Sequence, residues 1–274
     1  MTTEFLNKLN LLIQKIQAAP LIENSFFILG AGKFGKIALK YANAQPNSPY
    51  ILVIDKKFDR SQEEFQDFAD LVNLHEVLSS DSQRKFFLQE DIGDTSELIQ
   101  NGFPEHFVPA VPVHAVAYIL EKLYSSLQPE VPLKSQISLY EWVEIVNSIP
   151  KQVILKKDPK NGVILLSWAK MNEICPSNCI APIDYCPHHH RNKPHTITEI
   201  VKQIKSPNIW NFTLESHQVQ PGLGVIYGKE LKSLVINCLK QIHTNLESNR
   251  KFILLIATTC NCHGVINGFA CSSL

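Results

Sequence analysis

Short apolar runs alternate with amphipathic stretches along the first half of the chain. Apolar residues at helical spacing predict an amphipathic helix at the N-terminus, which Pro20 ends. After it come apolar runs of strand length, separated by segments with helical periodicity. The predicted elements are a helix at 4–17, strands at 26–29 and 51–54 with a helix at 34–44 between them, a helix at 60–71, extended segments at 85–89 and 107–111, and helices at 94–100 and from Pro112 to Leu123. This alternation predicts a mostly parallel sheet covered on both faces.

The second half also has an α/β pattern, interrupted by a loop rich in cysteine and histidine. The predicted elements are a strand hairpin at 152–156 and 162–168, a helix at 198–204, a strand at 211–215, a helix at 228–244 and a strand at 252–257. Residues 170–196 have no periodicity. We therefore predict an N-terminal helix (1–23), a Rossmann-like parallel-sheet domain (24–126), a linker with several prolines (127–150) and an α/β domain with a Cys/His-rich metal-binding loop (151–274).

Composition narrows the classes of protein this chain can represent. Of its 274 residues 45% are apolar, which excludes a disordered chain, and 26 basic residues balance 26 acidic ones. Without a basic excess we expect no nucleic-acid partner and no polybasic membrane contact. No apolar run is long enough for a membrane span, and Glu4 stands where a secretory signal carries positive charge, so we expect a cytoplasmic protein. Seven cysteines in a reducing compartment favour metal binding or thiol chemistry.

A glycine-rich turn follows the first predicted strand. Gly30, Gly32 and Gly35 match the pattern GxGxxG, and a helix is predicted directly after them. Gly30 permits a tight turn, Gly32 lets the backbone approach a pyrophosphate, and Gly35 lets the helix pack closely on the sheet. Asp55 ends the second strand, where a carboxylate accepts ribose hydroxyls and favours NAD(H) over NADP(H), although basic residues such as Lys56 follow it. The alternative is a tight strand–helix turn that binds no ligand.

The same region resembles the NAD-binding domain of the RCK, or TrkA N-terminal, type. The resemblance rests on the stretches FFILGAGKFGKIALKYA, ILVIDKKFDR and IGDTSELIQNGFPEHFVPAV, and it covers roughly residues 24–125. It implies a Rossmann-like domain that binds NAD(H) or another adenine nucleotide, and it does not imply potassium transport. Together the motif and the resemblance select these nucleotide-contacting candidates: Gly30, Gly32, Lys33, Phe34, Gly35, Asp55, Lys56 and Asp94.

Five of the seven cysteines are grouped in two polar segments. They follow the pattern C-x3-C-x6-C in the loop and C-x-C-H just after the last predicted strand. The candidate ligands are Cys175, Cys179, Cys186, Cys260, Cys262 and His263. Thiolates bind both structural zinc and iron–sulfur clusters. We favour an iron–sulfur cluster, with zinc as the alternative and unrelated thiols as a third interpretation. One of the three histidines at 188–190 could complete the shell, although a solvated loop edge is their ordinary interpretation. The motifs CPxxCxxPxxxCP and TxCxCHG resemble those of bacterial and archaeal Cys-rich proteins of unknown activity.

Two histidines are candidates for proton transfer. His217 follows the predicted strand at 211–215 and precedes a glycine-rich turn, and His114 lies in the first turn after Pro112. The sequence thus favours an oxidoreductase that binds both NAD(H) and a metal centre. Its partner would be a small-molecule substrate or a redox protein, and it could form a homodimer. The alternatives are a non-enzymatic nucleotide or redox sensor with structural zinc, and a zinc-stabilised NAD-dependent enzyme.

Overall fold

The chain folds into a mixed α/β structure whose two main sheets both contain parallel strands. A computed structural model describes residues 3–57, 69–70, 84–127, 133 and 137–271. The helices are α1 (Thr3–Ala18), α2 (Lys33–Asn43), α3 (Thr95–Leu98), α4 (Ala115–Leu127), α5 (Leu139–Asn147), α6 (Ile197–Lys202) and α7 (Gly228–Glu247). The strands are β1 (Leu21–Leu29), β2 (Tyr50–Ile54), β3 (Ala69–Asp70), β4 (Lys85–Leu88), β5 (Phe103–Pro109), β6 (Ile154–Asp158), β7 (Val163–Ser167), β8 (Tyr185–Cys186), β9 (Arg191–Asn192), β10 (Ile209–Glu215), β11 (His217–Gln220), β12 (Leu223–Tyr227), β13 (Phe252–Thr259) and β14 (His263–Cys271).

The first sheet has the strand order β11-β12-β5-β1-β2-β4-β3. Its five strands from the first half are parallel, and consecutive residues of β1, β2, β4 and β5 are buried, so these strands are covered on both faces, as a parallel sheet requires. The hairpin β11–β12 comes from the second half of the chain, and β12 pairs antiparallel with β5. One sheet therefore includes strands from both halves.

The second sheet has the order β10-β13-β14-β7-β6. Here β10 and β13 are parallel, whereas β14 pairs antiparallel with both β13 and β7. The turn between β13 and β14 carries the second group of cysteines, and the loop that follows β7 carries the first. Both groups therefore start from the same end of adjacent strands.

Most predicted elements agree with the structure, with corrections at particular places. The helix predicted to open at Pro112 begins at Ala115, because residues 111–113 form a bend. The prediction contained neither the hairpin β11–β12 nor β14, which follows the second cysteine group. The predicted helix 60–71 lies outside the described residues, except that Ala69–Asp70 is a strand. The coarse prediction of an α/β fold is confirmed.

One apolar core extends through both halves. Helices α1, α4 and α7 cover the same side, and Phe5 of α1 packs edge-on against Tyr124 of α4 with ring centroids 5.6 Å apart. Leu239 of α7 and Leu254 of β13 belong to this core, and both are fully buried. Among the helices in the described part of the chain, none is both long enough and apolar enough to cross a membrane.

Candidate metal centre and nucleotide turn

Two segments that are far apart in the sequence meet at the end of the second sheet. Backbone hydrogen bonds hold them together: the N–H of Trp168 donates to the carbonyl of Cys262 at 3.0 Å. The side-chain amide of Asn261 donates to the carbonyl of Ala181 at 2.9 Å. The loop after β7 is therefore fixed against the β13–β14 turn by hydrogen bonds other than those of the cysteines.

All five grouped cysteines line one cavity of about 600 Å³. Its lining contains the predicted metal ligands and residues of the β11–β12 hairpin. Phe34, at the start of α2, also borders the cavity, so the glycine turn and the cysteines are neighbours. The lining side chains with thiol or ionisable groups are Cys175, Cys179, Cys186, His189, Lys193, Glu215, His217, Tyr227, Cys260, Cys262 and His263.

Cys175 and His263 are at the centre of the closest thiol–imidazole contacts. The Cys175 sulfur lies 3.6 Å from Nε2 of His263 and 3.8 Å from Nε2 of His189. On the other side of the His263 ring, Nδ1 is 4.0 Å from the Cys260 sulfur. The backbone N–H of His263 also donates to that sulfur at 3.4 Å.

Burial and neighbouring thiols both act on Cys175. Burial is the larger cause that raises its pKa, and the nearby thiols of Cys179 and Cys186 raise it further. Ionising several of these thiols together is therefore unfavourable without a cation among them, and a bound metal ion reverses that cost. Among the described residues, no three His, Cys, Asp or Glu side chains already have the arrangement of a metal site.

Lys193 is a buried cation beside this group, with 2% of its surface exposed. Its ammonium donates to the Cys262 sulfur at 3.1 Å and to the carbonyl of Pro182. No carboxylate in the described ranges lies within ion-pair distance of it. Burial raises the pKa of Cys262, and Lys193 opposes that rise. Burial also lowers the pKa of His263, which favours the neutral imidazole that metals bind.

Two of the three glycines of the turn, Gly30 and Gly35, have backbone contacts too close for a side chain. Gly30 has φ +99°, and a Cβ there would lie 2.7 Å from the carbonyl oxygen of Ala110. A Cβ on Gly35 would lie 1.8 Å from the carbonyl oxygen of Gly30, so only glycine allows α2 to pack on the turn. Gly32 is the N-cap of α2 and has open space where a Cβ would point.

Asp55 holds this turn in place. Its Oδ2 accepts a hydrogen bond from the N–H of Ala31 at 2.7 Å, and its Oδ1 accepts one from the N–H of Lys57 at 2.9 Å. Each carboxylate oxygen has two acceptor positions, so both keep one for another donor.

The other nucleotide candidates lie around the same edge. Lys33 is exposed, with its ammonium 5.9 Å from the centre of the Phe34 ring. Lys56 forms an ion pair with Asp91 at 2.5 Å, and both border a separate cleft of about 720 Å³. Asp94 precedes α3 as its N-cap but makes no capping hydrogen bond with its side chain.

The structure gives the two candidate histidines different surroundings. His217 lies in β11 and borders the cysteine cavity, with Nε2 2.9 Å from Oε2 of Glu230 and its ring stacked on Tyr227 at 4.6 Å. His114 borders an adjacent cavity of about 350 Å³ that Cys260 also lines. Of the two, His217 is the one that borders the cavity lined by all five thiols.

Both ring nitrogens of His114 already have partners. Nδ1 is 2.9 Å from Oδ1 of Asn267, and Nε2 is 3.0 Å from Oγ1 of Thr258. Burial lowers the pKa of His114 to about 4. Its ring is therefore neutral near pH 7, and it joins α4 to the second sheet.

Sequence reasoning did not find Lys193 or Glu230, and it did not distinguish His189 from its two neighbours. Nothing in the local sequence marks Lys193 as buried, because its thiol partner is 69 residues away. Glu230 is separated from His217 by a hairpin that was not predicted.

Comparison with known proteins identifies relatives but no activity. A family model described as "Uncharacterized protein, C-terminal domain" matches residues 115–272. An "Uncharacterized protein" of Archaeoglobus fulgidus is 28% identical over 243 residues, which is 87% of this chain and 96% of that relative. No solved structure matches the chain.

Proposed function

We propose that this chain, which belongs to the AF_1314_C family defined by that C-terminal domain, is a redox protein that binds NAD(H) and carries a cysteine-ligated metal centre of iron–sulfur type. One observation carries the proposal: five thiols from two distant segments surround a single cavity that Phe34, beside the glycine turn, also borders. Reduced thiols are usually buried singly in apolar surroundings, so such a group in polar loops favours metal binding.

The nucleotide half of the proposal is supported by the turn around Gly30, which joins β1 to α2, and by β2, which pairs parallel with β1. The free N–H groups at the start of α2 suit a pyrophosphate, and the absence of a side chain at Gly32 leaves room for it. The acceptor positions that remain on Asp55 suit the hydroxyls of a ribose. Because Phe34 of this turn also borders the cysteine cavity, a dinucleotide bound at the turn would lie near the thiols.

The charge balance of the cavity favours an anionic thiolate centre. An ammonium as buried as that of Lys193 needs a negative partner, and Cys262 is the nearest group that can supply one. A set of metal-bound thiolates would provide that charge. When bound, an iron–sulfur cluster supplies one-electron transfer at a potential that neighbouring charges and hydrogen bonds adjust.

One specific observation favours zinc as the second candidate. A tetrahedral zinc with bonds of about 2.3 Å to sulfur and about 2.0–2.1 Å to nitrogen holds these two atoms about 3.5 Å apart. The separation between the Cys175 sulfur and Nε2 of His263 is 3.6 Å. In that case the protein would be a zinc-stabilised nucleotide-binding sensor or enzyme.

His217 is the residue we propose for proton transfer in this cavity. Glu230 accepts from Nε2 and orients the ring, and Nδ1 has no hydrogen bond to the described residues. A small substrate between His217 and the thiols would meet an acid or base on one side and the metal centre on the other. Because His114 has both nitrogens bonded, we assign it no part in proton transfer.

The metal is tested on protein purified without oxygen. Iron, acid-labile sulfide and a broad visible absorption are expected, whereas colourless protein with stoichiometric zinc would favour the second candidate. Protein with neither metal would overturn the metal centre altogether.

The nucleotide is tested by NADH titration of the wild type and of Asp55→Asn, which keeps one carbonyl acceptor for the turn. A hydrogen bond to a charged group contributes about 1.5–3 kcal/mol, so the affinity should fall about 10- to 150-fold. Glu97→Gln, an exposed change on α3, is the matched control and should bind like the wild type. Equal binding by all three proteins would show that Asp55 does not contact the ribose.

A further inference from the structure

His189 differs from the two histidines beside it. The turn between β8 and β9 holds three consecutive histidines, of which His188 and His190 are exposed. The side chain of His189 is 11% exposed and points into the cysteine cavity. Its Nε2 lies 3.8 Å from the Cys175 sulfur.

The other nitrogen of His189 faces a carboxylate that is itself held in place. Nδ1 is 3.7 Å from Oε2 of Glu173, at ion-pair distance. Glu173 receives a hydrogen bond from Arg191 on Oε1 at 2.6 Å and one from the N–H of Lys170 on Oε2 at 2.7 Å. Metal-ligating histidines usually donate their second N–H to a carboxylate or carbonyl, which fixes the tautomer and the orientation of the ring.

We infer that His189 is a metal ligand of the cysteine centre and that Glu173 is its positioning residue. The inference rests on the zinc candidate for the proposed metal centre and adds to it a ligand and the carboxylate that positions this ligand. Cys175 and two imidazoles would then bind the same ion, because Nε2 of His263 also lies 3.6 Å from the Cys175 sulfur. Both sulfur–nitrogen separations are close to the roughly 3.5 Å between two ligands of one tetrahedral ion.

The chemistry of this half-shell suits a zinc-like divalent ion with mixed sulfur and nitrogen ligands. The two histidine nitrogens approach Cys175 from different elements, one from the β8–β9 turn and one from β14. A bound ion would therefore join the loop to the second sheet. Cys186 lies close to His189 in the chain, since both belong to the short β8–β9 hairpin, so an ion bound by His189 would also lie near that thiol.

The test measures the affinity of metal-free, reduced full-length protein for Zn²⁺ by competition with a coloured chelator. His189→Ala should weaken binding by about 100-fold or more, and Glu173→Gln by about 10- to 100-fold, as for other outer-shell carboxylates. His188→Ala is the matched control and should bind as the wild type does. His189→Cys, which replaces one zinc ligand by another, should recover most of the affinity.

The visible spectrum of bound Co²⁺ distinguishes a metal ligand from a residue that only supports the fold, because it responds to the atoms that bind the ion. The visible bands of bound Co²⁺ should shift in His189→Cys, because a thiolate replaces an imidazole, and should stay unchanged in His188→Ala. A wild-type protein that binds neither zinc nor iron overturns the proposed function together with this inference. Wild-type affinity in His189→Ala overturns only the inference, and so does an unshifted Co²⁺ spectrum in His189→Cys.

Discussion

Acidification is expected to destabilise this fold through His114. In the folded protein burial lowers the pKa of His114 to about 4, whereas an ordinary histidine titrates near 6.5. The unfolded chain therefore binds a proton on this residue at a pH where the folded chain does not, and stability rises with pH in that range. The contribution of His114 is fully present above pH 6.5 and is lost as the pH falls toward 4.

The loss of stability on acidification can be calculated from the change in the pKa of His114. Each unit of pKa corresponds to 1.36 kcal/mol, so a fall from 6.5 to about 4 is equivalent to about 3 kcal/mol. His114 keeps some contact with solvent, which reduces the expected loss to about 2–3 kcal/mol. A domain with a typical stability of about 5–15 kcal/mol would lose a substantial part of it.

Urea denaturation of the wild type and His114→Gln across this pH range measures the loss. Glutamine can hydrogen-bond with Asn267 and Thr258 but does not titrate, so the stability difference between the two proteins should change by about 2–3 kcal/mol between pH 6.5 and 4. His243→Gln, which removes a histidine next to Glu247 on α7, is the control for the loss of a titrating histidine elsewhere in the protein. Parallel stability curves for wild type and His114→Gln, or a measured His114 pKa near 6.5, would refute the argument.

Two further predictions follow from the glycine turn and from the buried lysine. Gly35→Ala should destabilise the protein by several kcal/mol in thermal or urea unfolding, because its Cβ would lie 1.8 Å from the carbonyl oxygen of Gly30, whereas Gly32→Ala should leave the stability within about 1 kcal/mol of the wild type. Lys193→Met should slow alkylation of the Cys262 thiol in metal-free protein, because it removes the cation that lowers the pKa of that thiol. The control Lys205→Met changes an exposed lysine and should leave the alkylation rate unchanged. Equal alkylation rates in the wild type and Lys193→Met would show that Lys193 does not act on Cys262.

Periodicity located the apolar elements well, because burial alone determines their pattern. The run at 252–257 is buried throughout in β13, and the run at 51–54 is buried in β2. β14 was missed because glycines at 264 and 268 interrupt its apolar alternation. Those glycines are there for close packing: a Cβ on Gly264 would lie 2.8 Å from the side chain of Ile197, and one on Gly268 would lie 2.4 Å from Ile137. Contacts of this kind are long-range and leave no local periodicity.

The hairpin β11–β12 shows a second reason why the sequence was insufficient. The glycine-rich turn after His217, at Pro221 and Gly222, is the turn of a hairpin that belongs to the first sheet. The polar side chains from His217 to Gln220 do not show which sheet the hairpin joins. Pairing of β12 with β5 decides that, and a single sequence does not contain this information.

This hairpin is also the edge of the first sheet, which carries the glycine turn, and it borders the cavity that the thiols line. β12 joins the first sheet next to β5, while His217 of β11 and Tyr227 of β12 border the cysteine cavity. Directly after β12, a Cβ on Gly228 would lie 1.6 Å from the carbonyl oxygen of Pro104, so the start of α7 contacts β5 without room for a side chain. The packing of Gly228 against Pro104 and the pairing of β12 with β5 therefore both hold the end of β12, with Tyr227 of the cavity lining, against the first sheet.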